Sequence, residues 1–296
     1  MLDNPSIDSQ REATLSVIAF REAPELGALA LTGDDGASFL QGYVTSDTRG
    51  LDEGWQPTAF TSLKGRVTAT ALLRQTAADH IDIVVSADLV EALQTGLAKY
   101  LMFARCELNA VDAPIFAYLG EGPDSQQWFD GAGLCLNDPP VGAEPALTDA
   151  AWHEARLGAG VAWVSAATTD TFLPQMLGLI ERGYVSFDKG CYLGQEVVAR
   201  AAHRGEVKRG LVHLAWTGSA APRPGDDVCR DGKRIGTITD CTPQNEVTEG
   251  HGDAASQGSA LAVCRIDAAA ESEIGTEAKS DLEAADGTWA ASHSAI

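Results

Sequence analysis

The sequence predicts an α+β fold that ends in a small all-β unit. Three observations carry this. Strand and helix patterns occur in mixed order from about residue 14 to 111. The run from Glu121 to Pro145 is rich in Gly, Pro and Asp, which suits loops around short strands. After Lys208-Arg209-Gly210 the pattern becomes short strands separated by Gly/Pro turns. At 296 residues the chain exceeds what one small core organises, so two domains, or three compact subdomains, are expected.

Taken in order, residues 14–20 and 27–32 read as strands. Gly33-Asp34-Asp35-Gly36 turns into a helix carrying Phe39 and Leu40 that stops near Gly42. Residues 58–60 and 67–75 read as paired strands around Ser62-Leu63-Lys64-Gly65-Arg66. By spacing alone that connection is either a solvated hairpin tip or a ligand contact. Residues 80–86 alternate as a strand, and Asp88 opens a helix through Leu89, Leu93, Leu97 and Leu101. A further strand covers 106–111. Thr168-Thr169-Asp170 would cap a short helix bearing Phe172 and Leu173, interrupted by Pro174. Strands at 211–216, 228–229, 233–239 and 261–266 would make a partly closed barrel. An acidic, mobile loop is expected over 242–259 and a loose tail from about 286.

Lys and Arg number 21 against 42 Asp and Glu, a net charge of −21. Such a field repels nucleic acid and anionic membrane over most of the surface, so neither is an expected direct partner. An anionic ligand needs a local basic pocket. Met1 to Gln10 has neither a basic leader nor an apolar core, and no window reaches the apolar length of a bilayer span, so the expected location is cytoplasmic. The six cysteines, at 106, 135, 191, 229, 241 and 264, form no C-x-x-C pair, and no metal site is expected from them.

The densest chemistry lies in Asp188-Lys189-Gly190-Cys191-Tyr192-Leu193-Gly194-Gln195-Glu196. Two glycines flank the cysteine, so the backbone there is free to take positive φ or to approach a ligand closely. After Gly194 the sequence reads as helix, with Val197, Val198 and Ala201 near one face and Arg200 and Arg204 four apart on another. A loop running into a helix N-terminus, with Lys189 beside Cys191, is expected to favour the thiolate.

Lys189-Gly190-Cys191-Tyr192-Leu193-Gly194-Gln195-Glu196 resembles the K-G-C-Y-x-G-Q-[ED] signature of the YgfZ family of folate-binding proteins, relatives of the glycine-cleavage aminomethyltransferase, or T-protein. Phe39-Leu40-Gln41-Gly42-Tyr43-Val44-Thr45-Ser46-Asp47 is similar to the family's F-L-x-G-x-x-T-x-D, and Lys64-Gly65-Arg66 to its K-G-R. Residues 155–161, Phe172-Leu173-Pro174-Gln175-Met176 and Val197 to Arg209 extend the likeness, which covers about residues 30–265.

The resemblance implies a T-protein-like ring of α+β subdomains with a C-terminal β-barrel. Residues 1–208 would form the folate-binding part, in subdomains of about 1–111 and 112–208, and 209–296 the barrel with its mobile tail. It implies tetrahydrofolate as cofactor, and iron-sulfur enzymes or cluster carriers, including tRNA-modifying enzymes, as partners. On this reading Cys191 handles a sulfur, a cluster iron or a one-carbon unit. Lys189 tunes it, and Tyr192, Gln195 and Glu196 shape the loop and the folate site. Arg200, Arg204, Lys208 and Arg209, with Lys64 and Arg66 opposite, meet the glutamyl carboxylates. The T-protein's carboxylate positions fall at Thr68 and Ala69, and its pterin-binding glutamate at Gly158, none of which can move a proton. Whether the chain is an enzyme stays open. The alternatives are a folate-dependent aminomethyl or methyl transferase, and a thiol hydrolase pairing Cys191 with His203 or His153.

Overall fold

The structure, a computed structural model, describes residues 18–51, 54–122, 127–204, 208–242, 256–265, 282–284, 286–287 and 289–295, with backbone alone for Arg204, Trp289 and 291–295. Residues 14–17 of the first expected strand, most of the acidic loop (243–255) and Ile266 lie outside the described residues. The elements are β1 (Ala19–Glu22), β2 (Leu26–Thr32), α1 (Gly36–Gln41), β3 (Gln56–Thr61), β4 (Val67–Ala77), β5 (His80–Ser86), α2 (Val90–Leu101), β6 (Glu107–Val111), β7 (Ile115–Leu119), β8 (Gln127–Phe129), β9 (Ala132–Leu136) and α3 (Asp149–Gly158). They continue with α4 (Gln195–Arg204), β10 (Arg209–Gly218), β11 (Asp227–Arg230), β12 (Lys233–Cys241), β13 (Ser256–Arg265), β14 (Leu282–Ala284) and β15 (Trp289–Ala295).

A five-stranded antiparallel sheet, ordered β3-β4-β5-β2-β6, separates two cores. Successive side chains of a strand point to opposite faces. Leu29, Leu31, Ala71, Leu73, Ile81 and Ile83 therefore enter one core, while Ala28, Leu72 and Val84 enter the other. The first core is completed by Leu40, Leu157, Phe172, Leu177 and Val198, so the segment bearing α4 is packed onto the sheet. The second lies against a four-stranded antiparallel sheet, β1-β7-β9-β8, and is filled by Trp55, Trp152 and Trp163.

Three expectations are corrected. β1 was placed by position in the first subdomain, but it pairs with β7 from Ala19↔Leu119 to Glu22↔Phe116, where Phe20 sets its ring edge-on to Phe116 at 5.7 Å. The short helix starts at Pro174 rather than being interrupted by it. Proline at the first helical position needs no N–H partner, and the 3-10 turn Pro174–Leu177 stops at Gly178 with φ 65°. The tail expected to be loose from 286 instead supplies β15, whose register on β10 runs from Gly218↔Trp289 to Val212↔Ala295. With it the barrel is closed, in the order β10-β13-β12-β11-β14-β15, around Leu214, Trp216, Val228, Ile238, Ala260 and Ala262.

One buried ion pair fastens the barrel to the body. Arg156 of α3 grips Asp240 of β12 through both guanidinium nitrogens, Nη2 to Oδ1 at 3.1 Å and Nη1 to Oδ2. Asp240 also accepts from Trp163 N (3.3 Å) and Cys241 N (2.9 Å), while Arg156 Nη1 donates to Val161 O at 3.1 Å. Alongside, Ser259 Oγ of β13 donates to Glu154 Oε1 at 2.7 Å.

Candidate functional site

The Cys191 loop is held by segments far away in the chain. Ser186 N donates to Thr45 O (2.9 Å) and Leu193 N to Gly42 O (3.0 Å), so the loop is laid along the turn that follows α1. From the other side, Thr61 Oγ1 at the end of β3 donates to Leu193 O. Two glycines make the closest approach. Gly194 sits at φ 84°, a conformation that glycine adopts without the steric cost of a Cβ. A Cβ on it would overlap Ser62 O and come 3.0 Å from Gly65 Cα. Gly65, at φ 68°, would put its own Cβ 2.8 Å from Val197 Cβ. The Lys64-Gly65-Arg66 turn thus seats directly on the first turn of α4. Gly190 shows neither a positive φ nor a crowded Cβ position.

Lys189 is buried, and its ammonium donates to Val44 O (2.7 Å) and Ser46 O (2.6 Å), with Nζ 5.2 Å from the Tyr192 ring centroid. It therefore acts as an internal strut between the loop and residues 44–46. Burial pulls its pKa down from 10.5 to about 8, with Asp47 opposing the shift and Arg49 adding to it. Between about pH 8 and 10.5 the unfolded chain keeps this proton and the folded one has released it. Folded stability attributable to Lys189 therefore rises with pH over that window and is lost as pH falls through about 8. Unfolding titrations from pH 7.5 to 10.5 should show the wild type gaining on Lys189→Met across the window. A constant difference would contradict the assignment.

Cys191 is exposed, whereas Cys106, Cys135, Cys229 and Cys264 are buried and Cys241 is half-buried. Burial pushes the Cys135 thiol up to about 11 and those of Cys241 and Cys264 up to about 12. Tyr192 is buried beside Cys191, with no hydrogen-bond partner for its hydroxyl among the described residues and its pKa raised by burial to about 12. Gln195 Oε1 accepts from Tyr192 N at 3.3 Å, fixing the entry to α4, and Glu196 is exposed. Gln175 Nε2 donates to Val198 O at 2.7 Å, tying the 3-10 turn to α4.

The cations divide into two sets. Arg66 is committed to Thr171 O. Lys64, Arg200, Lys208 and Arg209 are exposed, and the Arg204 side chain lies outside the described residues. His203 stacks on Phe187 at 5.4 Å, and His153 Nδ1 donates to Asp149 O at 2.9 Å. Neither histidine has a hydrogen bond to Cys191 among the described residues. Sequence reasoning missed Asp170, which at φ 51° donates its N–H to Val67 O (2.9 Å) and accepts from Ser62 Oγ (2.7 Å). Asp tolerates left-handed backbone better than most residues, but nothing local to Thr169-Asp170-Thr171 told of Ser62.

These elements can be set beside known proteins. No family model matches the chain. A tRNA-modifying protein YgfZ from Klebsiella pneumoniae is 31% identical over 238 residues, covering 67% of this chain and 72% of that one. The chain belongs to the YgfZ family. A second YgfZ protein, from Cronobacter sakazakii, is 28% identical over 254 residues, covering 70% and 75% of the two chains. An uncharacterized protein of Haemophilus influenzae is 31% identical over 192 residues, covering 62% and 68%. Among solved structures, the glycine cleavage system aminomethyltransferase T of Bartonella henselae superposes with a TM-score of 0.64 at 14% identity, over 96% of this chain and 86% of that one. The YgfZ chain therefore has the T-protein-like α+β fold with a C-terminal barrel. Its Thr68, Ala69 and Gly158 carry no ionisable side chain.

Proposed function

We propose that this YgfZ-family chain is a tetrahydrofolate-binding accessory protein that supports assembly or repair of iron-sulfur enzymes, including tRNA-modifying ones, with Cys191 as the group presented to the client. The observation that carries the reading is the loop itself. Residues 42–46, 61–65 and 175 brace it from three directions, yet the thiol at its crest is left in solvent. Its relatives' name, tRNA-modifying protein, supports the direction of the client.

The residues present fit a folate. The buried Tyr192 hydroxyl, without a partner among the described residues, is a group that a ligand's polar edge would satisfy. Exposed Lys64, Arg200, Lys208 and Arg209, with Arg66 and Arg204 in support, offer cations to glutamyl carboxylates that a chain of net charge −21 otherwise repels. Gln195 and Glu196 shape the loop over it. Tetrahydrofolate, when bound, supplies a carrier for one-carbon units. On this reading residues 1–208 bind folate, 209–296 form the barrel unit, and the protein works in the cytoplasm without membrane or direct nucleic-acid contacts.

Tetrahydrofolate titration combined with complementation of a strain lacking the protein tests both halves. Cys191→Ser is expected to bind tetrahydrofolate yet lower the activity of a dependent iron-sulfur enzyme by roughly tenfold or more. Full complementation by Cys191→Ser sinks the thiol role, and absence of binding by the wild type sinks the folate role. A second reading, a folate-dependent aminomethyl or methyl transferase, is favoured by one feature. The Asp170 backbone pairs with Val67 at the start of β4, and its carboxylate accepts from Ser62 in the turn just before that strand, close in the chain to the positions where the T-protein's carboxylates would stand. Formaldehyde or methylene-folate formed by the wild type but not by Asp170→Asn would support that reading.

A further inference from the structure

The last strand of an open sheet presents a row of backbone donors and acceptors that another chain can pair with, so folds blunt such edges. The two open sheets of the body have four edges, and three are blunted. On β3, Pro57 removes a donor and Val44 bridges Phe60, with Thr45 N donating to Ala59 O at 2.9 Å. On β1, Phe20 N donates to Glu144 O (2.9 Å) and Leu147 N to Phe20 O (3.2 Å). β8 is three residues long and its register slips. β6 differs. It holds neither proline nor lysine, and among the described residues its backbone pairs only with β2. The chain around it is described without a gap from 54 to 122.

The direction of each backbone group on β6 follows from the ladder. Gly33 N donates to Asp79 O and Ala87 N to Glu25 O, so odd-numbered residues of β2 bond to the β5 side. The even ones, Ala28, Ala30 and Thr32, bond to Val111, Asn109 and Glu107. Leu108 and Ala110 therefore aim their N–H and C=O groups outward, and Ala110 is exposed. Gln94 Nε2 of α2 donates to Leu108 O at 2.9 Å, but a carbonyl oxygen has a second lone pair, which leaves the row open to a further strand.

At the head of β6, Met102 and Phe103 are 74% and 91% exposed. Their turn is pinned: Arg105 is fixed to Asp35 by N to Oδ2 at 3.0 Å and Nη2 to Oδ1 at 2.9 Å, and a Cβ on Gly33 would overlap Arg105 O. An aromatic side chain held out in this way is suited to anchor a partner. Glu107 and Asp112, at the two ends of the strand, are exposed on a chain of net charge −21. A second copy would set the same carboxylates and the same net charge against them, so the complementary occupant is basic.

We propose that the outer edge of β6, headed by Met102 and Phe103, takes up an extended basic segment of a partner protein as an added strand. This site is independent of the folate and thiol roles given above.

Fluorescence anisotropy with three labelled ten-residue peptides tests it: alternating lysine and valine, the same peptide with two central prolines, and alternating glutamate and valine. The wild type is expected to bind the first roughly tenfold more tightly than either of the others. The proline peptide has the same charge, so that comparison separates strand pairing from general attraction to an acidic protein. Ala110→Pro removes an outward donor without touching the ladder to β2, and Phe103→Ser removes the anchor. Each should bring the first peptide down to the affinity of the proline one while melting within about 3 °C of wild type. Glu107→Lys/Asp112→Lys, which leaves the backbone row intact, should shrink the advantage over the glutamate peptide, and it decides the matter if Ala110→Pro does not fold. Equal binding of the lysine and proline peptides by the wild type, or a preference that survives both Ala110→Pro and the charge reversal, overturns the proposal. A dimer in sedimentation that Ala110→Pro dissolves would overturn it in favour of a second copy.

Discussion

Gly194→Ala is expected to lose about 3 kcal/mol of stability and to dislodge the Cys191 loop. At φ 84° any L-side chain pays for the left-handed backbone, about 1–2 kcal/mol. The added Cβ then overlaps Ser62 O, a backbone atom that cannot swing aside, and overpacking of this kind costs a further ~1–3 kcal/mol. In a chain of this size the sum corresponds to a drop of roughly 5–12 °C in melting temperature. Gly190→Ala, in the same motif, should stay within about 0.5 kcal/mol of wild type, because its Cβ position is open. Thermal melts of both variants, with the rate of Cys191 alkylation as a report on loop order, decide the matter. A Gly194→Ala melt within 2 °C of wild type, by a margin of about 0.5 kcal/mol, would show that the two glycines are not interlocked.

Asp240→Ala is expected to be as damaging for a different reason. Arg156 is 5% exposed and would keep its charge with its main acceptor gone, while Trp163 N and Cys241 N would lose theirs. Removing one partner of a buried pair costs about 3–5 kcal/mol, whereas replacing both by apolar groups of similar volume is often near neutral. The double variant Arg156→Met/Asp240→Leu should therefore recover most of what Asp240→Ala loses in denaturant unfolding. A single variant that loses under about 1 kcal/mol would mean that water reaches the pair and that it does not fasten the barrel.

The parts of this molecule that could be read from sequence are those whose signal is local. Alternation in 80–86, the apolar spacing of 89–101 and the glycine before Gln195 each fix an element through neighbours a few residues away. The thiol at 191 stood out because a rare side chain lay inside a dense signature. What could not be read was contact at a distance. Nothing near Lys189 in the sequence tells that its ammonium reaches Val44 and Ser46, over 140 residues upstream. Asp170 reaches Ser62 across 108 residues, and Arg156 finds Asp240 across 84. β15 was missed because Ala-Ala-Ser-His-Ser-Ala shows no alternation of large apolar and polar residues. Its strand character comes from pairing with β10 rather than from its own propensity.

Because β1 precedes the five-stranded sheet in sequence yet completes the other one, the two halves of the body are threaded through each other. A fragment cut at residue 112 would carry β7 with one edge bare, a template for pairing with any other chain, and the piece left behind would trail a strand with nothing to join. The body should therefore fold and unfold as one cooperative block, and efforts to express its halves separately should end in aggregates.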